Sequence, residues 1–104
     1  MMTIRETTIA ELRRSDLTGT VLLDVRTRPE FASGHLAGAV NVPLDELGPH
    51  LAGYAGKDVV TVCLSGGRSA VAAQALQNAG ARVRSLAGGT NAWQRAGLPL
   101  EKGR

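Results

Sequence analysis

The feature that most constrains the fold is a regular alternation of short aliphatic runs with helix-forming segments. The runs that indicate strands are residues 21–25, 39–42, 59–63 and 82–86. The first and third runs are nearly continuous in β-branched and aliphatic residues, which is typical of strands covered on both faces. Strand–helix alternation of this kind predicts parallel strands joined by right-handed crossovers. We therefore expect an α/β fold with a mostly parallel central sheet and helices on both of its faces.

Two helix starts carry a complete local signature. Thr8 is followed three residues later by Glu11, and Thr27 is followed in the same way by Glu30. This spacing is the capping box, in which each side chain hydrogen-bonds the other residue's backbone N–H. Pro29 falls in the first turn of the second helix, where its missing N–H costs nothing. The sequence therefore predicts helices that begin at these two threonines.

The later helices are predicted from composition and from glycine. Residues 69–78 are rich in alanine and form the strongest helical segment, which Gly80 is placed to end in a left-handed conformation. Asp45 is expected to cap a short helix that runs to residue 51. Thr90 or Asn91 is expected to cap a last helix that contains the single tryptophan.

Length, charge and cysteine content limit the function classes. The 104 residues suit one domain over 1–104, with a core from about 4 to 100. Cys63 is the one cysteine, so no intramolecular disulfide and no cysteine-rich metal site is expected. The N-terminal residues lack the apolar segment of a signal peptide, and no apolar run is as long as a membrane span. We therefore expect a cytoplasmic protein with no membrane partner.

The positive charge of the chain does not indicate nucleic-acid binding. The net charge is +3, but the basic residues are dispersed, and aromatic residues make up only 3% of the chain. A nucleic-acid surface would need a basic stripe or a stacking platform. A mild positive field is better suited to attracting small anions.

The segment between the best strand and the best helix carries the chemistry. Cys63 ends the strand, Gly66 and Gly67 follow, and Arg68 stands just before Ser69 at the predicted helix start. Glycines allow backbone N–H groups to converge into an anion-binding nest, and a helix N-terminus adds positive potential. Both favour a thiolate, the nucleophilic form of cysteine. The alternative is that the cysteine only packs in the core, as lone cysteines commonly do.

Three ordered signatures resemble the rhodanese homology domain over nearly the whole chain. The first is LLDVR at 22–26, with EF at 30–31 and GHLAGAVNVP at 34–43. The second is the loop CLSGGRS at 63–69. The third is LAGG at 86–89, with Trp93 and GLP at 97–99.

The resemblance implies a single-domain, rhodanese-type sulfurtransferase that carries sulfur as a persulfide on Cys63. It implies a small donor, thiosulfate or a persulfide, and an acceptor that is a thiol, cyanide or a thiol of a partner protein. It implies no metal and no organic cofactor. The substrate-binding residues that it implies are Leu64, Ser65, Gly66, Gly67, Arg68 and Ser69.

Loop length and loop charge separate the alternatives. Four residues lie between Cys63 and Arg68, and related phosphatases have one more. The shorter loop favours sulfur transfer over a phosphatase or an arsenate reductase. A persulfide relay module is left open because it needs the same cysteine, whereas a non-catalytic module commonly lacks it. Arg68 is the only charged residue of the loop, which argues against thiosulfate as the natural donor.

Further residues of the signatures are expected to support the site. Asp24 and Arg26 are expected to form an ion pair that buttresses the loop, and the alternative is a catalytic role. His35 is expected to hydrogen-bond the turn that follows it, rather than to act as a general base, and Glu30 to cap its helix. Gly88 and Gly89 are expected to serve a turn, and the alternative is that they approach the loop. The tryptophan is expected in the core or in a pocket wall.

Overall fold

The computed structural model describes residues 4–103 as a sheet of five strands with four α-helices and two 3₁₀ helices. The strands are β1 (Arg5–Thr7), β2 (Thr20–Asp24), β3 (Val40–Asn41), β4 (Asp58–Val62) and β5 (Arg82–Leu86). The helices are α1 (Ile9–Arg14), α2 (Arg28–Ser33), α3 (Gly67–Asn78) and α4 (Gly89–Arg95), and the 3₁₀ helices are Leu44–Glu46 and Gly48–Tyr54.

The strands form one parallel sheet in the order β1-β5-β4-β2-β3. β4 lies in the centre, between β5 and β2, and Asp24 at the end of β2 is in register with Val62 at the end of β4. The expected α/β architecture is confirmed. Ligands of such sheets bind beyond the carboxyl ends of the strands, and Cys63 directly follows the end of β4.

Apolar side chains pack on both faces of the sheet. On one face, Ala72, Ala73 and Leu76 of α3 contact a cluster that includes the fully buried Leu23. On the other face, Leu12 of α1 belongs to a second cluster, formed with β2, β4 and β5 residues and partly covered by the tryptophan of α4. The expectation of helices on both faces is thus confirmed. Each fully buried leucine contributes about 1.5–3 kcal/mol relative to an exposed one.

Both capping boxes form. Thr8 accepts the Glu11 N–H and Glu11 accepts the Thr8 N–H, and Thr27 and Glu30 repeat the arrangement at α2. Gly80 has φ of +101° directly after α3, as expected for a left-handed helix end. These features are confirmed because each depends only on residues within one turn.

Three helix starts differ from the expectation. α3 begins at Gly67, two residues before 69, because Gly66 adopts φ of +119° and acts as its N-cap without a side chain. Gly88 caps α4 in the same way, so Thr90 and Asn91 lie inside the helix and do not cap it. Asp45 likewise lies inside a 3₁₀ helix and caps no α-helix.

Strand β1 is absent from the sequence-based prediction. Its residues Arg5, Glu6 and Thr7 alternate in no apolar pattern, and only the last of them is buried. A three-residue strand at the sheet edge needs backbone pairing on one side only, and such pairing leaves no hydrophobic pattern in the sequence.

Among residues 4–103, no helix is long and apolar enough to cross a membrane.

Candidate active site

The thiol of Cys63 lies beneath the loop that joins β4 to α3. The residue is 1% exposed, and its Sγ accepts a hydrogen bond of 3.0 Å from the N–H of Gly66. The left-handed conformation of Gly66 turns the chain back over the sulfur immediately before α3 begins. The thiol therefore faces converging backbone donors and the positive end of a three-turn helix.

The pKa of the Cys63 thiol is lowered from its ordinary value. Burial of the sulfur is the largest single influence and raises the pKa. The Ser69 hydroxyl and the N–H groups of Ser69, Gly66 and Ser65 lower it and together outweigh burial, and of these groups the Gly66 N–H donates a hydrogen bond to the sulfur. The loop therefore stabilises negative charge on the sulfur, which is the condition for a nucleophilic cysteine.

The N-terminus of α4 holds the outer side of the loop. The N–H groups of Thr90 and Asn91 donate to the carbonyls of Cys63 and Leu64, each at 2.9 Å. A Cβ on Gly89 would lie 2.2 Å from the Cys63 carbonyl oxygen, so only glycine permits this approach. The alternative that these glycines approach the loop is therefore the correct one, and α4 fixes the two carbonyls that begin the loop.

The loop N–H groups of Leu64, Gly67 and Arg68 have no acceptor within the described residues 4–103. The last two are in the first turn of α3, where no intrahelical acceptor exists. Unpaired donors at a helix N-terminus are suited to an anion.

The guanidinium of Arg68 is bound by Glu30. Its Nη1 and Nη2 donate to the two carboxylate oxygens at 2.7 and 2.9 Å, with side-chain exposures of 36% and 31%. These hydrogen bonds lower the pKa of Glu30 to about 2 and raise that of Arg68. Glu30 caps its helix as expected, but its second role as partner of the loop arginine was missed. The presence of one acidic and one basic residue in two of the sequence signatures could have indicated this ion pair.

Ser69 connects the loop to the sheet. Its Oγ lies 3.0 Å from the Gly66 carbonyl oxygen, to which it donates, and 2.8 Å from the Oγ of Ser85 on β5. Thr61 Oγ1 donates to the Ser69 carbonyl at 2.9 Å. Nothing local in the sequence indicated Ser85, because it lies sixteen residues from its partner.

The buried Asp24 and Arg26 form the expected ion pair, with Nη2 and Oδ2 2.8 Å apart. Arg26 also donates to the Gly34 carbonyl at 2.7 Å. Within residues 4–103, no side-chain hydrogen bond joins the pair to the loop 63–69. The pair therefore fastens the end of β2 to the segment after α2, and the expected direct buttress of the loop is not observed.

His35 is a buried scaffold residue, but its partners differ from those expected. Its Nδ1 donates to the carbonyl of Phe31 in the preceding helix at 2.7 Å, and its ring stacks on that phenylalanine. Its backbone pairs with Glu101. The expected bond to the following turn is therefore wrong.

Trp93 is partly buried and lines a cavity of about 270 Å³, and its indole N–H donates to the Pro99 carbonyl.

A surface cavity of about 440 Å³ opens beside Arg68. Its lining is mainly apolar, with one acidic residue in addition to the arginine. The lining residues are Val25, Thr27, Pro43, Leu44, Asp45 and Arg68. Among residues 4–103, no three His, Cys, Asp or Glu side chains are grouped so as to hold a metal ion.

Residues 8–96 match the family described as "Rhodanese-like domain". An uncharacterized protein of Synechocystis is 40% identical over 103 residues, which cover 97% of this chain and 56% of that protein. The chloroplastic protein named thiosulfate sulfurtransferase 16 of Arabidopsis thaliana is 36% identical over 101 residues, which cover 82% of each. The chain spans about half the length of some curated relatives, 56% of the Synechocystis protein and 42% of another.

Solved structures share the architecture. The crystal structure of a rhodanese-related protein from Thermoplasma volcanium superposes with a TM-score of 0.84 at 28% identity. The superposition covers 93% of this chain and 97% of that one.

Proposed function

Because this chain belongs to the rhodanese-like domain family, we propose that it is a sulfurtransferase that carries sulfane sulfur as a persulfide on Cys63. One observation carries the proposal. The sulfur of Cys63 accepts the Gly66 N–H at 3.0 Å inside a loop that lowers its pKa, at the carboxyl end of the central strand. A thiolate in this position is a nucleophile, and the N–H groups around it form a nest for an anion.

In the first proposed step, the Cys63 thiolate attacks the outer sulfur of the donor. A new S–S bond forms, and the bond between the two donor sulfurs breaks. Its electron pair leaves with sulfite, if the donor is thiosulfate, or with a thiolate, if the donor is a persulfide. The terminal sulfur of the resulting Cys63 persulfide is an anion, and the free N–H groups of Leu64, Gly67 and Arg68 are its proposed donors.

In the second step, an acceptor attacks that terminal sulfur. A thiolate acceptor leaves as a persulfide, and cyanide leaves as thiocyanate. In both cases the electron pair of the broken S–S bond returns to Cys63 as a thiolate. No net oxidation occurs, because sulfane sulfur moves at a constant oxidation level.

We propose a persulfide of a thiol as a better donor than thiosulfate. Arg68 is already neutralised by Glu30, so the loop meets a bound anion mainly with backbone N–H groups. The cavity of about 440 Å³ beside Arg68 is mainly apolar and exceeds what thiosulfate needs. A dianion against an apolar wall has a larger desolvation cost than a singly charged persulfide. A thiol of a partner protein is an alternative donor or acceptor that suits the same site.

The test compares two activities on one protein. Wild type and Cys63→Ser are assayed for sulfur transfer from thiosulfate or a small persulfide to cyanide, and for hydrolysis of an aryl phosphate. We expect Cys63-dependent sulfur transfer and negligible phosphate hydrolysis, because the four residues between Cys63 and Arg68 close a small ring. Cys63-dependent hydrolysis of the aryl phosphate that is faster than sulfur transfer would show that the protein is a phosphatase and not a sulfurtransferase.

A further inference from the structure

The side chain of Ser85 is buried beneath the active-site loop and, within residues 4–103, makes no hydrogen bond to the proposed nucleophile. It is 1% exposed on β5, which lies next to β4 in the sheet. Its Oγ lies 2.8 Å from the Oγ of Ser69, and this is its only side-chain hydrogen bond within residues 4–103. Ser69 is itself fully buried.

The available acceptors assign the direction of this contact. A buried hydroxyl hydrogen needs an acceptor, and the Ser69 oxygen is the one side-chain partner of Ser85 within residues 4–103. Ser85 therefore donates to Ser69. The single hydroxyl hydrogen of Ser69 is then directed to the Gly66 carbonyl at 3.0 Å.

This hydrogen bond acts on Cys63 through Gly66. A hydrogen bond to the Gly66 carbonyl fixes the peptide unit next to the N–H that donates to the sulfur at 3.0 Å. Hydrogen bonds in a chain also polarise one another, so a hydroxyl that accepts one becomes a stronger donor.

We propose that Ser85 is a positioning residue that acts through the Ser69 hydroxyl to hold the Cys63 sulfur in its anionic, reactive form. Its importance for turnover rests on the proposed sulfur-transfer function, whereas its effect on the thiol does not. The charged group that interacts with the thiol is Arg68, which is paired with Glu30 and also interacts with Asp24 of the buried Asp24–Arg26 pair. None of them hydrogen-bonds Ser85, so its substitution leaves those charges in place.

The experiment is a double-mutant cycle read out on the thiol. Wild type, Ser85→Ala, Ser69→Ala and the double variant are alkylated with iodoacetamide across a pH series, and the apparent pKa of Cys63 is taken from the rates. We expect Ser85→Ala to raise this pKa by about half a unit to one unit, which is about three- to tenfold less thiolate below the pKa. Ser69→Ala is expected to raise it at least as far. In the Ser69→Ala background, Ser85→Ala is expected to add nothing, because its path to the sulfur is already cut.

Thr7→Val is the matched control. Thr7 has a buried hydroxyl on the neighbouring strand β1, and within residues 4–103 it makes no hydrogen bond to Ser69. It should lose some stability without a change in the pKa of Cys63. An unchanged pKa in Ser85→Ala, or an equal rise in both backgrounds, would overturn the proposal. Because alkylation needs no sulfur transfer, a wild type that reacts as described but transfers no sulfur would refute only the proposed function.

Discussion

Replacing Gly89 with alanine tests how the loop around Cys63 is held. Gly89 begins α4 at φ of +54°, and a Cβ there would lie 2.2 Å from the Cys63 carbonyl oxygen and 2.7 Å from that of Leu64. Both obstacles are backbone atoms, which cannot rotate away. An ordinary contact needs about 3.5 Å, so helix and loop must separate by roughly 1 Å.

The loss of stability in Gly89→Ala has two parts, and a second glycine of the chain allows them to be measured separately. A left-handed alanine costs about 1–2 kcal/mol wherever it occurs. The separation also weakens the hydrogen bonds from Thr90 and Asn91 to the loop, each worth about 0.5–1.5 kcal/mol. We therefore expect Gly89→Ala to lower the free energy of unfolding by about 2–5 kcal/mol, a large share of the roughly 5–15 kcal/mol typical of a domain. In the protein that remains folded, a loop displaced by about 1 Å is expected to lose on the order of 10²-fold in rate of sulfur transfer.

Gly97→Ala is the matched control at the other end of α4. Gly97 has φ of +77°, and among residues 4–103 no atom beyond its chain neighbours lies within 4 Å of the place that a Cβ would take, so alanine there incurs only the backbone cost. Urea unfolding and sulfur-transfer rates of both variants give the comparison. Equal destabilisation of the two variants, with an unchanged transfer rate in Gly89→Ala, would refute the view that α4 holds the loop by close backbone contact.

Three further predictions concern the charges and the thiol of the site. Because Glu30 neutralises Arg68, Arg68→Ala should remain folded and lose less than the roughly 10²–10³ in transfer rate that is typical for one electrostatic contact; a loss of that full size would show that the Arg68 charge acts on the bound anion. The pKa of Glu30 is lowered to about 2 in the folded protein. The Glu30 carboxylate therefore stabilises the folded state fully above its ordinary pKa, and this stabilisation is lost as the pH falls from about 4.5 to 2. In urea unfolding at pH 6, the free energy of unfolding of wild type should exceed that of Glu30→Gln by about 1 kcal/mol, after allowance for solvent exposure, and this difference should shrink as the pH falls from about 4.5 to 2. A difference that does not depend on pH would contradict the ion pair. Peroxide should drive unprotected Cys63 to acids that thiols cannot reduce, whereas prior persulfidation should preserve activity; full recovery by thiol after prolonged oxidation of the unpersulfidated protein would contradict this.

The parts of the fold that could be predicted from the sequence are those that depend on neighbouring residues. The capping boxes at Thr8 and Thr27 and the strand 82–86 were predicted correctly, because a few adjacent side chains determine them. The starts of α3 and α4 could not be placed, since Gly66 and Gly88 act as N-caps through backbone conformation alone. Strand β1 was missed because edge pairing leaves no apolar pattern.

The candidate site was predicted in its centre and missed in its surroundings. The loop from Cys63 to Ser69 is continuous in the chain, so glycine conformation and helix geometry were enough to indicate it. The partners of that loop come from other elements. Glu30 lies 38 residues from Arg68, and the contact between them exists only once α2 and α3 are placed around the sheet.

The most direct test of the central claim is the intact mass of the protein after incubation with thiosulfate or a small persulfide. Wild type is predicted to gain about the mass of one sulfur atom and to lose it on treatment with a thiol, as exchange at a persulfide requires. Cys63→Ser is predicted to gain nothing, because Cys63 is the only cysteine of the chain. An adduct that persists in Cys63→Ser, or a wild type that gains no sulfur from either donor, would contradict the account.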